Sequence, residues 1–396
     1  MSTTNSLRLA VAACVVALVG AGCSSSSKSS GAGPTTPASS PRASSTIVTP
    51  ANPAPYARKG AYAVGYTTLH LAGGRRVVVW YPANPATIAG HPQESIDLAS
   101  LLTPALQAKI PAVDRVQYKT DAYENAPAAT SPGKYPLVVF SHGYAGYPEQ
   151  SVSLTTHLAS WGFVVAAPDH VERSLDGLLG TAAAGVPKST DVAVLQATLA
   201  LAIASSNGPG VLHGLVDPNR VVAAGHSAGA SAAYDFASAD PRVKAWISYS
   251  VSFGPGDPAP AVPAKPGMVM LGTTDGVIPP ASSRQVYAGM NAPKYLVQIP
   301  RAGHLVFSDI CLIGRSSGGV IGIVKAIKLP IPPELLKLGS DGCTSDHPHP
   351  EIAFPAIDQL SVGFFRWALH IDAEPVGLST AAVAGLGGAV TVAHQS

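Results

Sequence analysis

The chain has 396 residues, 46% of them hydrophobic and 12% charged, where ordinary globular proteins carry about 25% charged residues. An apolar-rich chain of this length is no disordered polyelectrolyte; it can bury a sizeable core as one large α/β domain or two smaller ones. With 25 Lys and Arg against 23 Asp and Glu, the formal charge of +2 is too small for a nucleic-acid binder that works by electrostatics.

Arg8 precedes an apolar run from Leu9 to Val19, then Gly20, Ala21, Gly22, Cys23 and a serine tract. That run is too short for a membrane-spanning helix, which needs about 20 residues. A basic residue, a short apolar stretch and small residues before a boundary read as an export signal. Residues 1–22 resemble a bacterial lipoprotein signal, which implies diacylation of Cys23 and attachment to a membrane through that lipid. Gly20 departs from the pattern, which usually has Leu at this place, and plain secretion and an uncleaved anchor are the alternatives.

Residues 23–55 are rich in Ser, Thr, Ala, Gly and Pro. They offer little to bury and read as an extended tether ahead of a folded domain at 56–396. Of the four cysteines, Cys14 leaves with the signal and Cys23 carries the lipid, so Cys311 and Cys343 remain for the domain. Two thiols in an exported protein, with no Cys or His at ligand spacing beside them, point to a disulfide and not a metal site.

Apolar, Val-rich runs at Arg76–Tyr81, Leu137–Ser141, Phe163–Ala167, Val221–Ala224, Ala245–Tyr249, Met268–Leu271 and Tyr295–Ile299 are strand candidates. Near-continuous apolarity suits parallel strands covered on both faces. Helical stretches at Glu149–Ser160, Thr190–Ser205, Ala228–Ala237 and Ser282–Met290 lie between them. This alternation predicts an α/β fold: a mostly parallel, doubly wound sheet with helices on both faces. The connection from Ser250 to Pro266 is short and Pro/Gly-rich, so no large cap is expected there, and an accessible cleft follows.

Gly225-His226-Ser227-Ala228-Gly229 follows the strand at Val221–Ala224 and opens an Ala-rich helix. A serine becomes a useful nucleophile when a tight strand-to-helix turn exposes its hydroxyl and the helix N-terminus offers N–H groups to an oxyanion. Gly314-Arg315-Ser316-Ser317-Gly318 has the same spacing. Only Ser227 is followed by an acid and a histidine at the ends of successive strands. Asp275 follows Met268–Leu271 in a small-residue turn, with Asp257 and Asp309 as competing carboxylates. His304 follows Tyr295–Ile299. In this triad His304 takes the serine proton while Asp275 fixes its tautomer. The backbone N–H groups of Tyr144, after the strand Leu137–Ser141, and of Ala228 are the candidate oxyanion hole. His142 is read as a structural residue of that loop.

Val79-Trp80-Tyr81-Pro82, Phe140-Ser141-His142-Gly143-Tyr144, Leu158-Ala159-Ser160-Trp161-Gly162-Phe163, Pro168-Asp169-His170, Gly225-His226-Ser227-Ala228-Gly229 and Ala302-Gly303-His304 together carry a resemblance. From about Arg76 to His304 the chain resembles bacterial α/β-hydrolases related to platelet-activating-factor acetylhydrolase, and is similar to the dienelactone-hydrolase-like and cutinase or polyester-hydrolase groups. The resemblance implies carboxylic-ester hydrolysis through a serine acyl-enzyme, without metal or other cofactor, on a lipid, short-chain or polymeric ester. Dienelactone hydrolases have a cysteine where this chain has Ser227, and polyester hydrolases usually have Met where it has Ala228. The expected protein is a lipid-tethered, extracytoplasmic serine esterase or lipase. An envelope acyltransferase using the same triad is the alternative enzyme, and a catalytically silent binding lipoprotein the alternative outside enzymes.

After His304 an insertion at about 305–350 contains the apolar stretch Val320–Leu338, broken by Pro330, Pro332 and Pro333. It is either an extra helix of the core or an acyl-binding rim or lid. A Cys311–Cys343 bridge would fix it beside His304 in both cases.

Overall fold

The computed structural model describes residues 53–130, 133–180, 185–254, 261–317, 319–326, 328 and 333–396. The chain divides into two units, 1–49 and 50–396. The expected signal at 1–22, the lipidation site Cys23, the tether as far as residue 52, and Asp257 lie outside the described residues. The second unit is already packed at its start: Tyr56 is buried, and its N–H donates to Oε1 of Gln359 at 2.8 Å.

Strands β1 (Ala63–His70) and β2 (Arg76–Ala83) form a hairpin, followed by β3 (Gln93–Asp97), the single turn α1 (Pro104–Gln107) and β4 (Gln117–Glu124). Then β5 (Tyr135–Ser141), α2 (Val152–Ser160), β6 (Val164–Pro168), α3 (Leu175–Leu179), α4 (Asp191–Asn207) and β7 (Val216–His226) follow. The chain continues through α5 (Ala228–Ala239), β8 (Val243–Tyr249), β9 (Gly267–Gly272), α6 (Pro280–Gly289) and β10 (Lys294–Ile299). Helices α7 (Gly319–Ala326), α8 (Pro333–Leu338) and α9 (Pro350–Ala368) precede a last strand, β11 (Thr391–Gln395).

All the strands join one open sheet in the order β11-β10-β9-β8-β7-β5-β6-β2-β1-β4-β3. From β6 across to β10 neighbouring strands are parallel. Antiparallel β2 and β11 flank that run. From β5 the chain goes to one side for β6, then crosses back to lay β7 on the other. The crevice at this reversal, beyond the carboxyl ends of β5 and β7, is where doubly wound sheets bind ligands.

Strand β5 shows how the sheet is covered twice. Val138 and Phe140 face a core shared with α2 and α9, while Leu137 and Val139 face a second core with Leu195 and Leu199 of α4 and Ala230 and Ala233 of α5. Helix α4 starts with Thr190, whose hydroxyl accepts the N–H of Ala193 at 3.2 Å and supplies the cap.

Each strand and helix expected from the sequence is present, with ends shifted by a few residues. Strands β1, β3, β4 and β11 and helix α9 were not expected. The first three carry alternating or largely polar sequences, such as Gln93-Glu94-Ser95-Ile96-Asp97, in place of apolar runs. Helix α9 begins at Pro350 and contains Pro355, and its stability comes from the many residues it buries, among them Ile357, Leu360, Phe364 and Phe365.

Glu94 of β3 is buried and accepts hydrogen bonds from Nε1 of Trp80 at 3.1 Å and Oγ1 of Thr120 at 2.6 Å. Burial pushes its carboxyl from 4.5 up to about 7. Between those values the folded protein holds a proton that the unfolded chain has released, so stability falls as pH rises through this window. Glu94→Gln should therefore raise the melting temperature at pH 8, by the equivalent of at most about 3 kcal/mol, and leave it unchanged at pH 4. Thermal melts at the two pH values check this.

Candidate active site

Ser227 sits between β7 and α5 with φ 59° and ψ −122°, a strained backbone that the strand-to-helix turn imposes. Its N–H donates to the carbonyl of Tyr249 at 2.9 Å, tying the turn to the end of β8. The flanking glycines are required by packing. A Cβ on Gly225 would lie 2.0 Å from the carbonyl oxygen of Gly229, and one on Gly229 would lie 2.0 Å from that of Ser141.

Asp275 follows β9, where Oδ1 accepts the N–H groups of Val277 and Ile278 at 2.9 and 2.7 Å. Oδ2 lies 2.9 Å from Nδ1 of His304. Burial opposes ionisation of this carboxyl, but the His304 hydrogen bond and charge together with the Ile278 N–H outweigh it, and its pKa falls below the ordinary value. His304 is fully buried in the turn after β10, and its Nε2 has no hydrogen-bond partner among the described residues. Ser227 and His304 line one cavity. No hydrogen bond joins Ser227 and His304.

His226 stands beside the serine with its ring 4.6 Å from that of His304. Burial, followed by repulsion from His304, pushes His226 down to about 3, so the ring is neutral. Nε2 of Gln150 donates to its Nδ1 at 2.8 Å, and its own Nε2–H donates to the carbonyl of His304 at 3.0 Å. Oε1 of Gln150 accepts the N–H of Gly143 at 3.0 Å. One glutamine and one histidine thus join the loop after β5, the serine turn and the base loop.

In the loop after β5, the N–H groups of Gly143, Ala145 and Gly146 bond to Gln150, to the Arg173 carbonyl and to the Gly143 carbonyl. That of Tyr144 is left without an acceptor among the described residues. Ala228 begins α5, where N–H groups have no acceptor inside the helix. The arrangement suits the two expected oxyanion donors.

Arg173 lies behind this loop. Its Nη1 donates to the carbonyls of His142 and Gly143, and its Nη2 donates to Oγ of Ser141 at 2.9 Å. The Ser141 hydroxyl donates on to Nε2 of His170, which burial and the Arg173 charge hold down at about 3 and so neutral. Nε2 of His142 accepts the N–H of His170 at 3.0 Å, and Nε of Arg173 pairs with Asp191 at 3.2 Å. His142 is part of the loop's scaffold.

The insertion roofs the site on one side. Val320, Ile321 and Val324 of α7 and Leu335 and Leu338 of α8 line the same cavity of about 110 Å³ as Ser227 and His304. The short cover thus comes after His304, and the cleft is less open than the β8–β9 connection implied. Cys311 and Cys343 form a disulfide across the insertion. Ser316 is exposed in a short 3₁₀ turn before α7, away from any strand end. Asp309 turns away from His304 to accept from the N–H of Ser153 at 2.9 Å and Oη of Tyr118 at 3.0 Å. Among the described residues no group of three or more His, Cys, Asp or Glu side chains is placed to hold a metal ion.

The sequence reading did not find Gln150, His226 or Arg173 as site residues. The one available signal was the polarity of Gln150 and Arg173 at positions flanking apolar elements.

A doubly wound sheet with a serine at the strand-to-helix turn beyond β7, and an aspartate–histidine pair beyond β9 and β10, define the α/β-hydrolase fold. Residues 96–177 match the family model of platelet-activating factor acetylhydrolase, isoform II. That match spans the loop after β5 and Arg173 and ends before Ser227. The chain is also similar in structure to a ferulic acid esterase from Streptomyces cinnamoneus solved at 2.4 Å resolution, with a TM-score of 0.53 and 22% sequence identity. The similarity covers 88% of this chain and 99% of the esterase.

Arg173→Leu should destabilise the fold by about 3 kcal/mol, near the low end for breaking a buried pair because Asp191 keeps 34% of its side chain in solvent. Urea unfolding of the variant against the wild type measures this.

Proposed function

We propose that the protein hydrolyses carboxylic esters through an acyl-enzyme on Ser227. The observation that carries the reading is His304: Nδ1 is held by Asp275, Nε2 is buried with no hydrogen-bond partner among the described residues, and the residue lines one cavity with Ser227. The matching family model, named for an acetylhydrolase, and the similar structure, named an esterase, support the same chemistry.

In this mechanism Nε2 of His304 removes the hydroxyl proton as Ser227 Oγ attacks the ester carbonyl. The N–H groups of Tyr144 and Ala228 receive the developing oxyanion. The protonated histidine, stabilised by the Asp275 carboxylate, hands its proton to the leaving alcohol. Water then repeats the sequence on the acyl-enzyme, with His304 again as base. The apolar wall from α7 and α8 suits an acyl group larger than acetyl, so the insertion is read as an acyl-binding rim.

A fluorophosphonate probe should label the wild-type protein at Ser227 and fail to label Ser227→Ala. Ser227→Ala should lower ester turnover by about 10³-fold or more, as removal of a triad nucleophile does, while Ser316→Ala retains it. Across a series of nitrophenyl esters, kcat/KM should rise from acetyl to longer acyl groups. Undiminished turnover in Ser227→Ala would overturn the mechanism. Transfer of the acyl group to added alcohols in preference to water would assign the same triad to an acyltransferase.

The cellular place proposed with this function is the outer face of a membrane, held by lipid on Cys23, and it is supported by the sequence of residues 1–23. Mass spectrometry of the membrane fraction should find a mature chain that starts at an acylated Cys23. A soluble chain starting elsewhere would replace anchoring by secretion.

A further inference from the structure

The Asp275–His304 hydrogen bond joins loops from two different strands, so its geometry depends on how those loops are held together. The β9–β10 ladder ends at the pair Gly272 and Ile299. Beyond it, the N–H and hydroxyl of Thr274 both donate to the carbonyl of Ala302, at 3.1 and 3.0 Å. Past Thr274, the described hydrogen bonds joining the two loops are the Asp275–His304 bond itself and those of a third segment laid across both. That segment is the end of the insertion.

Oδ1 of Asp341 accepts the backbone N–H of His304 at 2.5 Å, and Oδ2 accepts the N–H of Gly276, the residue after Asp275, at 3.1 Å. The Asp341 carbonyl accepts the N–H of Leu305 at 2.9 Å. The approach leaves no room for side chains: a Cβ on Gly276 would lie 2.5 Å from Oδ2 of Asp341, and one on Gly303 2.5 Å from the nitrogen of Gly342. Two residues on, Cys343 is bonded to Cys311, which follows the His304 turn. Farther along, Nδ1 of His347 contacts the carbonyl of Arg301 at 3.1 Å.

We infer that Asp341 is a positioning residue for the catalytic pair: its carboxylate bridges the main chains that carry Asp275 and His304, and the Cys311–Cys343 bond holds that carboxylate in place. The inference rests on the triad reading above. The task needs a carboxylate, because two N–H donors converge on one side chain and only a carboxylate offers them two acceptor oxygens. An asparagine keeps one acceptor and turns an N–H group toward the other donor. The insertion thereby has a second role besides forming a wall of the cavity: it joins the acid and base loops at the residues that react.

The test uses the full-length protein with Asp341→Ala and Asp341→Asn, ester kinetics, fluorophosphonate labelling rates and melting temperatures. In Asp341→Ala, kcat and the labelling rate should fall by about 10- to 100-fold with KM unchanged, since a misplacement of about 1 Å in an active site costs on that order. Asp341→Asn should fall between Asp341→Ala and the wild type. Reducing the disulfide should lower kcat of the wild type but not lower that of Asp341→Ala further, because the bridge acts through the carboxylate. If Asp341→Ala does not fold, Asp341→Asn with a lowered kcat and unchanged KM supports the inference. Wild-type kcat in either folded variant, a loss confined to KM, or equal sensitivity of wild type and Asp341→Ala to reduction would overturn it. Failure of the wild-type protein to take up the probe would overturn the triad reading and the inference with it.

Discussion

The site is built around a contact that leaves no space for a side-chain atom, where the serine turn meets the end of β5. Ser141 pairs in register with Gly225, and the Ser141 carbonyl fills the place where a Cβ on residue 229 would stand. The close approach brings the end of β5 against the first turn of α5, the two elements next to which the proposed oxyanion donors Tyr144 and Ala228 lie. It also accounts for the local composition. Small residues and short β-branched ones, from Val221 to Ala224 and through Ala228-Gly229-Ala230, are what a buried strand and helix can carry while their backbones touch.

Around that contact the protein buries several polar side chains and keeps two histidines among them neutral. His226 and His170 are held far below their ordinary range, and each therefore serves as a directional hydrogen-bonding group and not as a charge. Gln150 determines which nitrogen of His226 carries the proton, and His226 in turn determines where the His304 carbonyl sits. Hydrogen bonds linked in this way reinforce one another. The loops after β5, β7 and β10 are separate in the chain, but one chain of hydrogen bonds joins them.

How much of this was legible depended on whether a residue announces itself locally. Ser227, Asp275 and His304 each follow an apolar run, so their chain order and placement at strand ends are readable in the sequence; in the fold Asp275 bonds His304, and His304 and Ser227 line one cavity. Gln150, Arg173 and Asp341 bond groups in other loops and elements, and no periodicity marks such a role. The outer strands β1, β3 and β4 stayed hidden because they are half-solvated and polar, and α9 because prolines at 350 and 355 look like helix breakers. Its packing against the sheet overrides that local preference. The insertion was visible as apolar surface without an owner. Only the fold could turn Val320, Ile321 and Val324 toward the cavity.

The far edge of the sheet has a consequence of its own. Strand β10 is mostly apolar and nearly wholly buried, yet its outer neighbour is a short, polar segment, Thr391-Val392-Ala393-His394-Gln395. That segment satisfies the backbone of β10 on one side and shows water a row of exposed side chains on the other. An uncovered β10 would present a template of free N–H and C=O groups beside greasy residues, to which any extended peptide could add. The last strand therefore works as a selvedge, finishing the sheet so that one molecule is not woven into the next.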